Sequence, residues 1–190
     1  GGLTTRELAR AYLTTEATVA QRVVRAKRTL AEAGAALEEP SEAERAERLT
    51  AVLGVIYLLY NEGYSATAGS EWLRPALCDE ALRLGRMLAE LSPAEPEVHG
   101  LVALMEIQAS RMRARLSPSG EPIPILEQNR GAWDQLLIRR GFAALLRAER
   151  LGRPPGPYMV QAAIAACHAR AASAGDTDWE RIVALYELLT

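Results

Sequence analysis

The chain has 190 residues, of which 49% are hydrophobic and 24% charged, and its formal net charge is −2. This balance is that of an ordinary globular protein. No apolar run approaches the roughly 18–20 residues of a membrane-spanning helix, no signal-peptide pattern stands at the start, and two cysteines cannot build a disulfide framework. We therefore expect a cytoplasmic protein in which Cys78 and Cys167 stay reduced and buried.

Charge is distributed unevenly along the chain. Residues 1–30 hold six Arg and Lys residues against two Glu, a net charge of +4, so the remainder carries −6. A basic end joined to an acidic body predicts a polyanion partner for the basic end alone. The abrupt start at "GGLTTRELAR" indicates a piece of a longer protein.

The first two predicted helices lie in "LTTRELARAYLTTEATVAQRVVRAKRTL". Thr4 or Thr5 can cap the first helix, with Glu7 as the capping-box partner. A tight polar turn follows, and then a longer helix whose apolar residues form one stripe, namely Val19, Val23, Ala26 and Leu30. We expect Leu8 to pack against the first residue of this stripe.

Polar and basic residues lie broadly opposite the stripe, namely Thr18, Gln21, Arg22, Arg25 and Arg28. A helix-turn-helix needs this arrangement, because one side must hold the recognition helix on its scaffold while the other reaches DNA. Gln and Arg can bind the edges of adenine or guanine, whereas Thr and the later basic residues suit phosphates. The alternative is that this basic helix is only a solvated surface.

The same segment resembles the promoter-reading half of region four of bacterial sigma factors of the extracytoplasmic-function class. The resemblance is carried by "LTTRELARAYL", "TTEATV" and "QRVVRAKRTL", about 28 residues without a gap. It implies that the second helix enters the major groove at the −35 promoter element. It also implies that Thr15, Glu16, Thr18, Gln21 and Arg22 lie nearest the bases, with Arg25, Lys27 and Arg28 nearer the phosphate backbone.

Periodic apolar residues predict further helices, separated by Gly-rich and Pro-rich breaks. After a charged linker at 37–48, these helices cover approximately 49–60, 77–88, 98–112, 125–151, 158–172 and 179–189. The stretch "LSPSGEPIP" is predicted to be a loop or a short extended ribbon. No stretch shows sustained strand alternation, so the predicted fold is all-α.

The continuation resembles the C-terminal extension of one subgroup of these sigma factors, which is a tetratricopeptide-like domain. The resemblance is carried by "AVLGVIYLLYNEGYSA", "LCDEALRLGRMLAELSPAEPEVHGLVALM" and "GPYMVQAAIAACHARAASAGDTDWERIVALYELL". Residues 157–190 also have the length of one tetratricopeptide unit. Together the resemblances imply a partial helix-turn-helix domain at 1–36, a linker at 37–48, and an array of helical hairpins at 49–190 with a concave binding surface.

The last predicted helix carries a broad apolar face, made by Trp179, Ile182, Val183, Tyr186 and Leu189. An acidic residue or threonine at 176–178 can cap its N-terminus. We expect this face to pack on the helix at 158–172, with Trp179 buried, so that the helix closes the array.

Two other clusters are candidate protein contacts. The first, in "YLLYNEGYSA", gathers at a helix end Tyr57, Tyr60, Asn61, Glu62 and Tyr64. It is either ordinary aromatic packing or a contact with polymerase or other sigma domains. The second, in "IQASRMRARL", places Arg111 and Arg115 at i, i+4, which is either a solvated face or a groove for an acidic peptide.

No GxSxG, HExxH or P-loop pattern appears, and neither His99 nor His168 has a cysteine or carboxylate cluster at ligand spacing. We therefore expect no enzyme activity, no metal and no cofactor. The predicted function is promoter binding and transcription initiation at the nucleoid, with promoter DNA and core RNA polymerase as partners. A regulatory protein or peptide on the helical body is a further expected partner, and a membrane is not. The alternative is a peptide-binding tetratricopeptide-like adaptor without DNA binding.

Overall fold

The computed structural model describes residues 2–32, 41–65 and 73–189. These residues form eight α-helices and no β-strand, which confirms the predicted all-α fold. The helices are α1 (Thr5–Ala11), α2 (Glu16–Glu32), α3 (Glu42–Tyr64), α4 (Pro75–Leu91), α5 (Pro96–Ala109), α6 (Gln135–Arg150), α7 (Pro157–Arg170) and α8 (Trp179–Glu187). The chain divides into two compact units, residues 1–77 and 78–190, and the boundary falls in the first turn of α4. The tetratricopeptide-like array remains a prediction.

Helix α3 begins at Glu42, earlier than the predicted start at 49. Ser41 and Glu44 form a capping box: the Ser41 N–H donates to Oε2 of Glu44 over 2.9 Å, and the Glu44 N–H donates to Oγ of Ser41 over 3.4 Å. The prediction of a linker is therefore wrong for residues 42–48, because this capping box starts a helix there. Residues 37–40 of the predicted linker lie outside the described residues.

Helix α5 is the centre of the second unit. Of its 14 residues, all but Glu97 and Gln108 are buried, which is expected of a helix that is apolar all round. Helices α6 and α7 pack along α5. Helix α4 approaches it at Gly85, where an added Cβ would lie 2.7 Å from Cε of Met105. Three helices therefore cover one central helix.

Two further glycines allow this close packing. An added Cβ at Gly100 of α5 would lie 2.7 Å from the backbone nitrogen of Met159 in α7. An added Cβ at Gly141 of α6 would lie 2.5 Å from Cγ1 of Ile107 in α5. Real Cβ atoms do not come this close to other atoms, so any larger residue would push the helices apart.

The N-terminus of α7 is capped by a side chain from α5. Gly156 occupies the cap position and has no side chain to offer. Instead, Oε2 of Glu97 accepts a hydrogen bond of 2.8 Å from the Tyr158 N–H, and Oε1 accepts one of 3.1 Å from the Met159 N–H. A carboxylate at this position also suits the positive end of the helix dipole. Glu97 thus fixes where α7 starts along α5.

Helix α6 begins at Gln135, ten residues later than the predicted start at 125. Oδ1 of Asp134 accepts hydrogen bonds from the backbone N–H groups of Leu136 and Leu137, over 2.8 and 3.1 Å. Just before this cap, Trp133 is buried in a cluster with Ala114 and Ile138. The prediction of a single long helix over residues 125–151 is therefore wrong. Trp133 is buried in an irregular segment, and the Asp134 cap starts the helix only after it.

The apolar face of α8 is mostly exposed. Ile182 is buried, but Trp179 is 48% exposed, and Val183 and Tyr186 are also exposed. The predicted burial of Trp179 is therefore wrong, because the short helix α8 packs mainly on α7 and only one edge of its apolar face meets that helix. The predicted cap is present, since Oδ1 of Asp178 accepts a hydrogen bond of 2.9 Å from the Arg181 N–H.

Both cysteines are buried and free, which confirms the prediction of two buried thiols. Burial raises the pKa of Cys78 to about 12, with a smaller contribution from Asp79. Burial also raises the pKa of Cys167. Within the described ranges, no helix is both long enough and apolar enough to span a bilayer.

The glycine contacts give a matched pair of substitutions. We expect Gly100→Ala to lower the free energy of unfolding by about 1–3 kcal/mol, because the new methyl group overlaps backbone that cannot move alone. Gly54→Ala in α3 is the control, since nothing lies within 4 Å of its added Cβ. It should raise stability by about 0.5–1 kcal/mol through helix propensity. Calorimetric unfolding measures both, and equal effects would contradict this packing.

Candidate nucleic-acid interface

Helix α1 begins with the predicted capping box, and Thr4 is the cap. The Glu7 N–H donates to Oγ1 of Thr4 over 3.2 Å, and the Thr4 N–H donates to Oε2 of Glu7 over 2.6 Å. Two N–H groups that lack a partner inside the helix are satisfied in this way. The start of α1 is therefore determined locally, by residues three positions apart.

Four residues, 12–15, join α1 to α2. Leu13 has a φ of 48°, in the left-handed region. The Leu13 N–H donates to the Arg10 carbonyl over 3.1 Å, and the Thr14 N–H donates to the Ala9 carbonyl over 2.8 Å. This pair of bonds is a Schellman cap, which closes a helix and turns the chain sharply. The connection has the length and sharpness of a helix-turn-helix turn.

Helix α2 is capped by Thr15, the residue just before it. Oγ1 of Thr15 accepts a hydrogen bond of 3.2 Å from the Thr18 N–H, and the two threonine hydroxyl oxygens lie 2.8 Å apart. Helices α1 and α2 pack together, and Ala9 and Val19 are the buried residues on this side. Leu8, the predicted partner of Val19, is half-buried.

The predicted DNA contacts lie on the accessible surface of α2 and its entry. Thr18 is half-buried, and the other predicted contacts are exposed, namely Thr15, Glu16, Gln21, Arg22, Arg25, Lys27 and Arg28. At about 100° per residue, the face opposite Val19 is made by Gln21, Arg25 and Arg28. Thr18 and Arg22 lie on one flank of this face, nearer to Val19, and Lys27 lies on the other flank. The structure therefore groups three of the predicted contacts on one face and three beside it.

The apolar stripe of α2 is covered only at its first residue. The structure describes α2 in full, and Val19 is its one buried residue, whereas Val23 is 39% and Leu30 62% exposed. Helix α1 has 7 residues and α2 has 17, so their lengths are roughly 10 and 25 Å. Beyond Val19 the stripe is exposed, because α1 is too short to cover the rest of α2.

An arginine far along the chain is bound to α1. Nη1 of Arg74 donates to Oε1 of Glu7 and lies 3.6 Å from Oε1 of Glu62 in α3. The Arg74 N–H also donates to the Gly63 carbonyl over 2.8 Å. Both carboxylates are buried, so one arginine neutralises two buried charges. Sequence reasoning missed this triad, because its members lie far apart in the chain and nothing in the sequence links the Glu7 capping box to Arg74 or Glu62.

The pKa of Glu7 reflects these contacts. Burial acts to raise this pKa, but hydrogen bonds from Thr4 and the nearby Arg74 outweigh burial, and the pKa lies below its ordinary value of 4.5. Glu7 is therefore ionised at neutral pH, as an ion pair with Arg74 requires.

The tyrosine cluster at the end of α3 is largely part of the interior. Tyr60, Glu62 and Tyr64 are buried, and Tyr57 and Asn61 are half-buried. The rings of Tyr60 and Tyr64 stack with their centroids 5.5 Å apart. This burial favours aromatic packing over an exposed contact surface for polymerase.

Arg111 and Arg115 do not share a helix face. Helix α5 ends at Ala109, before the predicted 112, and a 3₁₀ turn separates the two arginines. Arg111 lies over the ring of Trp133 with Cζ 5.7 Å from its centroid, and Arg130 covers the same ring at 4.9 Å. Arg130 also donates to the carbonyls of His168 and Ala171, at the end of α7. Arg111 is therefore part of a packed aromatic cluster and not of an open groove.

A groove with a volume of about 520 Å³ lies between α4, α5 and α6, and we call it the α4–α6 groove. Its lining includes Arg86, His99, Val102, Glu106, Arg140 and Arg147. Glu106 is 2% exposed, and its Oε1 accepts a hydrogen bond of 2.8 Å from Nε of Arg86. Burial raises the pKa of Glu106, and Arg86 opposes that shift. Sequence reasoning missed this surface, because its residues come from three helices and form no motif.

A family model described as a family of unknown function (DUF6596) matches residues 48–149, more than half of the chain. The chain belongs to this family. The family segment contains most of α3, the whole of α4 and α5, and nearly all of α6. It therefore includes every residue of the α4–α6 groove, whereas α1 and α2 precede it.

The chain is also similar to the uncharacterized protein R00370 of Rhizobium meliloti (strain 1021), with 50% identity over 188 residues. The alignment covers 99% of the chain and 44% of that relative, so the chain spans less than half of the relative's length. No solved structure is significantly similar to the chain. The alignment with the relative therefore extends over both α2 and the groove.

Because the backbone of Leu13 is in the left-handed region, replacing this residue with glycine should stabilise the protein. We expect Leu13→Gly to raise the free energy of unfolding by about 0.5–1 kcal/mol, because a β-carbon is strained at this φ and glycine is not. Leu13→Ala is the control, since it removes the exposed side chain but keeps the strain. Urea titration monitored by circular dichroism measures both, and a loss of stability in Leu13→Gly would contradict the turn geometry.

The Arg74 triad predicts a large and pH-dependent effect. We expect Arg74→Ala to lower the free energy of unfolding by about 3 kcal/mol at neutral pH, because two buried carboxylates lose their counter-charge. Since the pKa of Glu7 is lowered on folding, its stabilising contribution is full above the unfolded value of 4.5 and is lost as pH falls through the folded value.

Arg48→Ala is the control for this prediction, because the Arg48–Glu44 pair is exposed and should contribute little. Thermal melts of the three proteins at neutral and acidic pH measure the difference. An Arg74→Ala protein that melts like Arg48→Ala at neutral pH would show that the triad does not hold α1.

Proposed function

We propose that the chain is part of a bacterial RNA polymerase sigma factor of the extracytoplasmic-function class. In this proposal α1 and α2 bind the −35 promoter element, and the helical remainder regulates or supports the interaction with polymerase. The chain acts through binding and has no catalytic activity of its own. One observation carries the proposal: two capped helices joined by a sharp four-residue turn, with an exposed basic face on the second helix.

The geometry of α2 suits the DNA major groove. The groove is about 12 Å wide and accepts an α-helix whose N-terminal residues reach the base edges. Gln21 and Arg22 lie in the N-terminal half of α2, where such contacts occur. Arg25, Lys27 and Arg28 follow about one turn later, where the helix leaves the bases and meets phosphates.

In this proposal, the threonines at the start of α2 position the helix and do not themselves recognise bases. The hydroxyl groups of Thr15 and Thr18 are already bonded to each other, and that of Thr15 also accepts a hydrogen bond from the Thr18 N–H. Glu16 lies 4.0 Å from Arg6 in an exposed ion pair, which DNA can displace. A carboxylate at this place can accept a hydrogen bond from N4 of cytosine. Base recognition in this proposal therefore depends on Glu16, Gln21 and Arg22.

The basic residues predict a salt-dependent affinity. We expect the chain to bind a fluorescein-labelled duplex with a log–log salt slope of about −0.9 per phosphate contact. Arg25→Ala with Arg28→Ala should reduce the magnitude of the slope by about two contacts on every sequence. Arg45→Ala with Arg48→Ala in α3 makes the same change in charge outside the interface and should leave the slope unchanged. Fluorescence anisotropy at several salt concentrations measures all three proteins.

Sequence specificity separates this function from that of a peptide-binding adaptor. In selection from a random duplex pool, Gln21→Ala and Arg22→Ala should each alter the base preferred at one position. Each lost base contact should reduce discrimination by about 1–3 kcal/mol. If neither the unchanged chain nor the variants select a sequence, and binding does not depend on salt, the chain is not a promoter reader and the adaptor is favoured.

A further inference from the structure

The α4–α6 groove combines a buried acid at its floor with a rim that carries arginines and one exposed acid, Glu90. Glu106 lies at the floor, and Oε1 is bound by both Nε and Nη2 of Arg86, over 2.8 and 2.7 Å. Within the described part of the chain, the other oxygen, Oε2, is buried and has no hydrogen-bond partner. A buried carboxylate oxygen without a donor is costly, so this site is incomplete as it stands.

The rim carries two arginines on one face of α6. Arg140 and Arg147 are seven positions apart, which is about two helical turns or roughly 10 Å. Both are exposed, and neither forms a hydrogen bond or an ion pair with the residues that the structure describes. Between them lie Ala143 and Ala144, which leave room for a chain to lie along the groove. Two exposed cations thus face the groove at a defined spacing, and the charge of Arg140 also acts on the carboxylate of Glu106.

We propose that the α4–α6 groove binds an extended acidic peptide segment of a partner protein. Two acidic side chains of the segment pair with Arg140 and Arg147. In an extended chain, residues four apart lie on the same face and are separated by roughly 13 Å, which two long arginine side chains about 10 Å apart can span. The main chain of the peptide then lies over Val102 and the alanines. The groove lies wholly in the second unit, so this proposal does not depend on DNA binding by α2.

The charge pattern favours a peptide over a nucleic acid or a polyphosphate. A polyanion carries negative charge along its whole backbone and would place some of that charge above the carboxylate of Glu106. A peptide carries a neutral backbone with N–H donors and keeps its charge on side chains. It can therefore present carboxylates to the rim and neutral or donor groups to the acidic floor.

Selection from a peptide library tests this proposal. The probe is a random library of peptides of about twelve residues, long enough to span the groove, selected against the whole chain. We expect the recovered peptides to carry Asp or Glu pairs four residues apart, because such residues lie on the same face of an extended chain. A fluorescein-labelled copy of the best peptide then gives the affinity by anisotropy. Recovery of peptides without such acidic pairs would overturn the proposal.

Two double variants on the same helix make the test specific. Arg140→Ala with Arg147→Ala should weaken binding of the labelled peptide at least about tenfold, because both carboxylates lose their partners. Arg139→Ala with Arg150→Ala removes the same charge from α6 outside the groove lining and should change the affinity by less than about twofold. All four arginines are exposed, and circular dichroism should show that both variants keep the fold. Equal losses in the two variants would overturn the proposal.

Competition distinguishes the peptide from a polyanion. A single-stranded oligonucleotide should displace the labelled peptide only at concentrations well above those of the unlabelled peptide. If the oligonucleotide competes as well as the peptide, the groove is a general polyanion site and the peptide proposal is wrong.

Discussion

Burial of α5 is the constraint on which the rest of the second unit depends. A helix that is buried on nearly every side is stable only when other helices cover it; α6 and α7 pack along α5, and α4 approaches it at Gly85. Close approach requires that side chains be absent at the contacts, which is the role of Gly85, Gly100 and Gly141. Glu97 then fixes the start of α7 through two backbone hydrogen bonds. The same burial brings Arg86, Glu106 and the arginines of α6 to one groove.

The first unit depends on a different kind of contact. Helix α1 is too short to bury much apolar surface, so its attachment relies on the charged contact of Glu7 with Arg74. Such a contact stabilises the folded state because, without Arg74, the carboxylates of Glu7 and Glu62 would be buried without a counter-charge. This leaves the exposed face of α2 with little structural role. Its basic residues are then available for the polyanion that the charge distribution predicts.

The two proposed binding surfaces use arginine in different ways. On α2, basic residues project from an exposed helix, which favours the extended negative charge of DNA and makes affinity dependent on salt. In the α4–α6 groove, two arginines lie beside a buried carboxylate, which favours a ligand whose charges are separated by neutral main chain. The family match includes the groove, and the relative aligns over both surfaces. Failure of either proposal would leave the other intact.

Sequence alone determined the features that depend on neighbouring residues. Helix periodicity, the capping box of Thr4 and Glu7, and the sharp turn before α2 all involve residues within about five positions, so local chemistry decides them. The tertiary structure alone decided which faces are buried. The stripe of α2 and the apolar face of α8 look like core in sequence, but most of their residues are exposed and no helix among the described residues covers them. Likewise, the Arg74 triad, the Glu97 cap and the Glu106 floor join residues distant in the chain, and only packing brings such residues together.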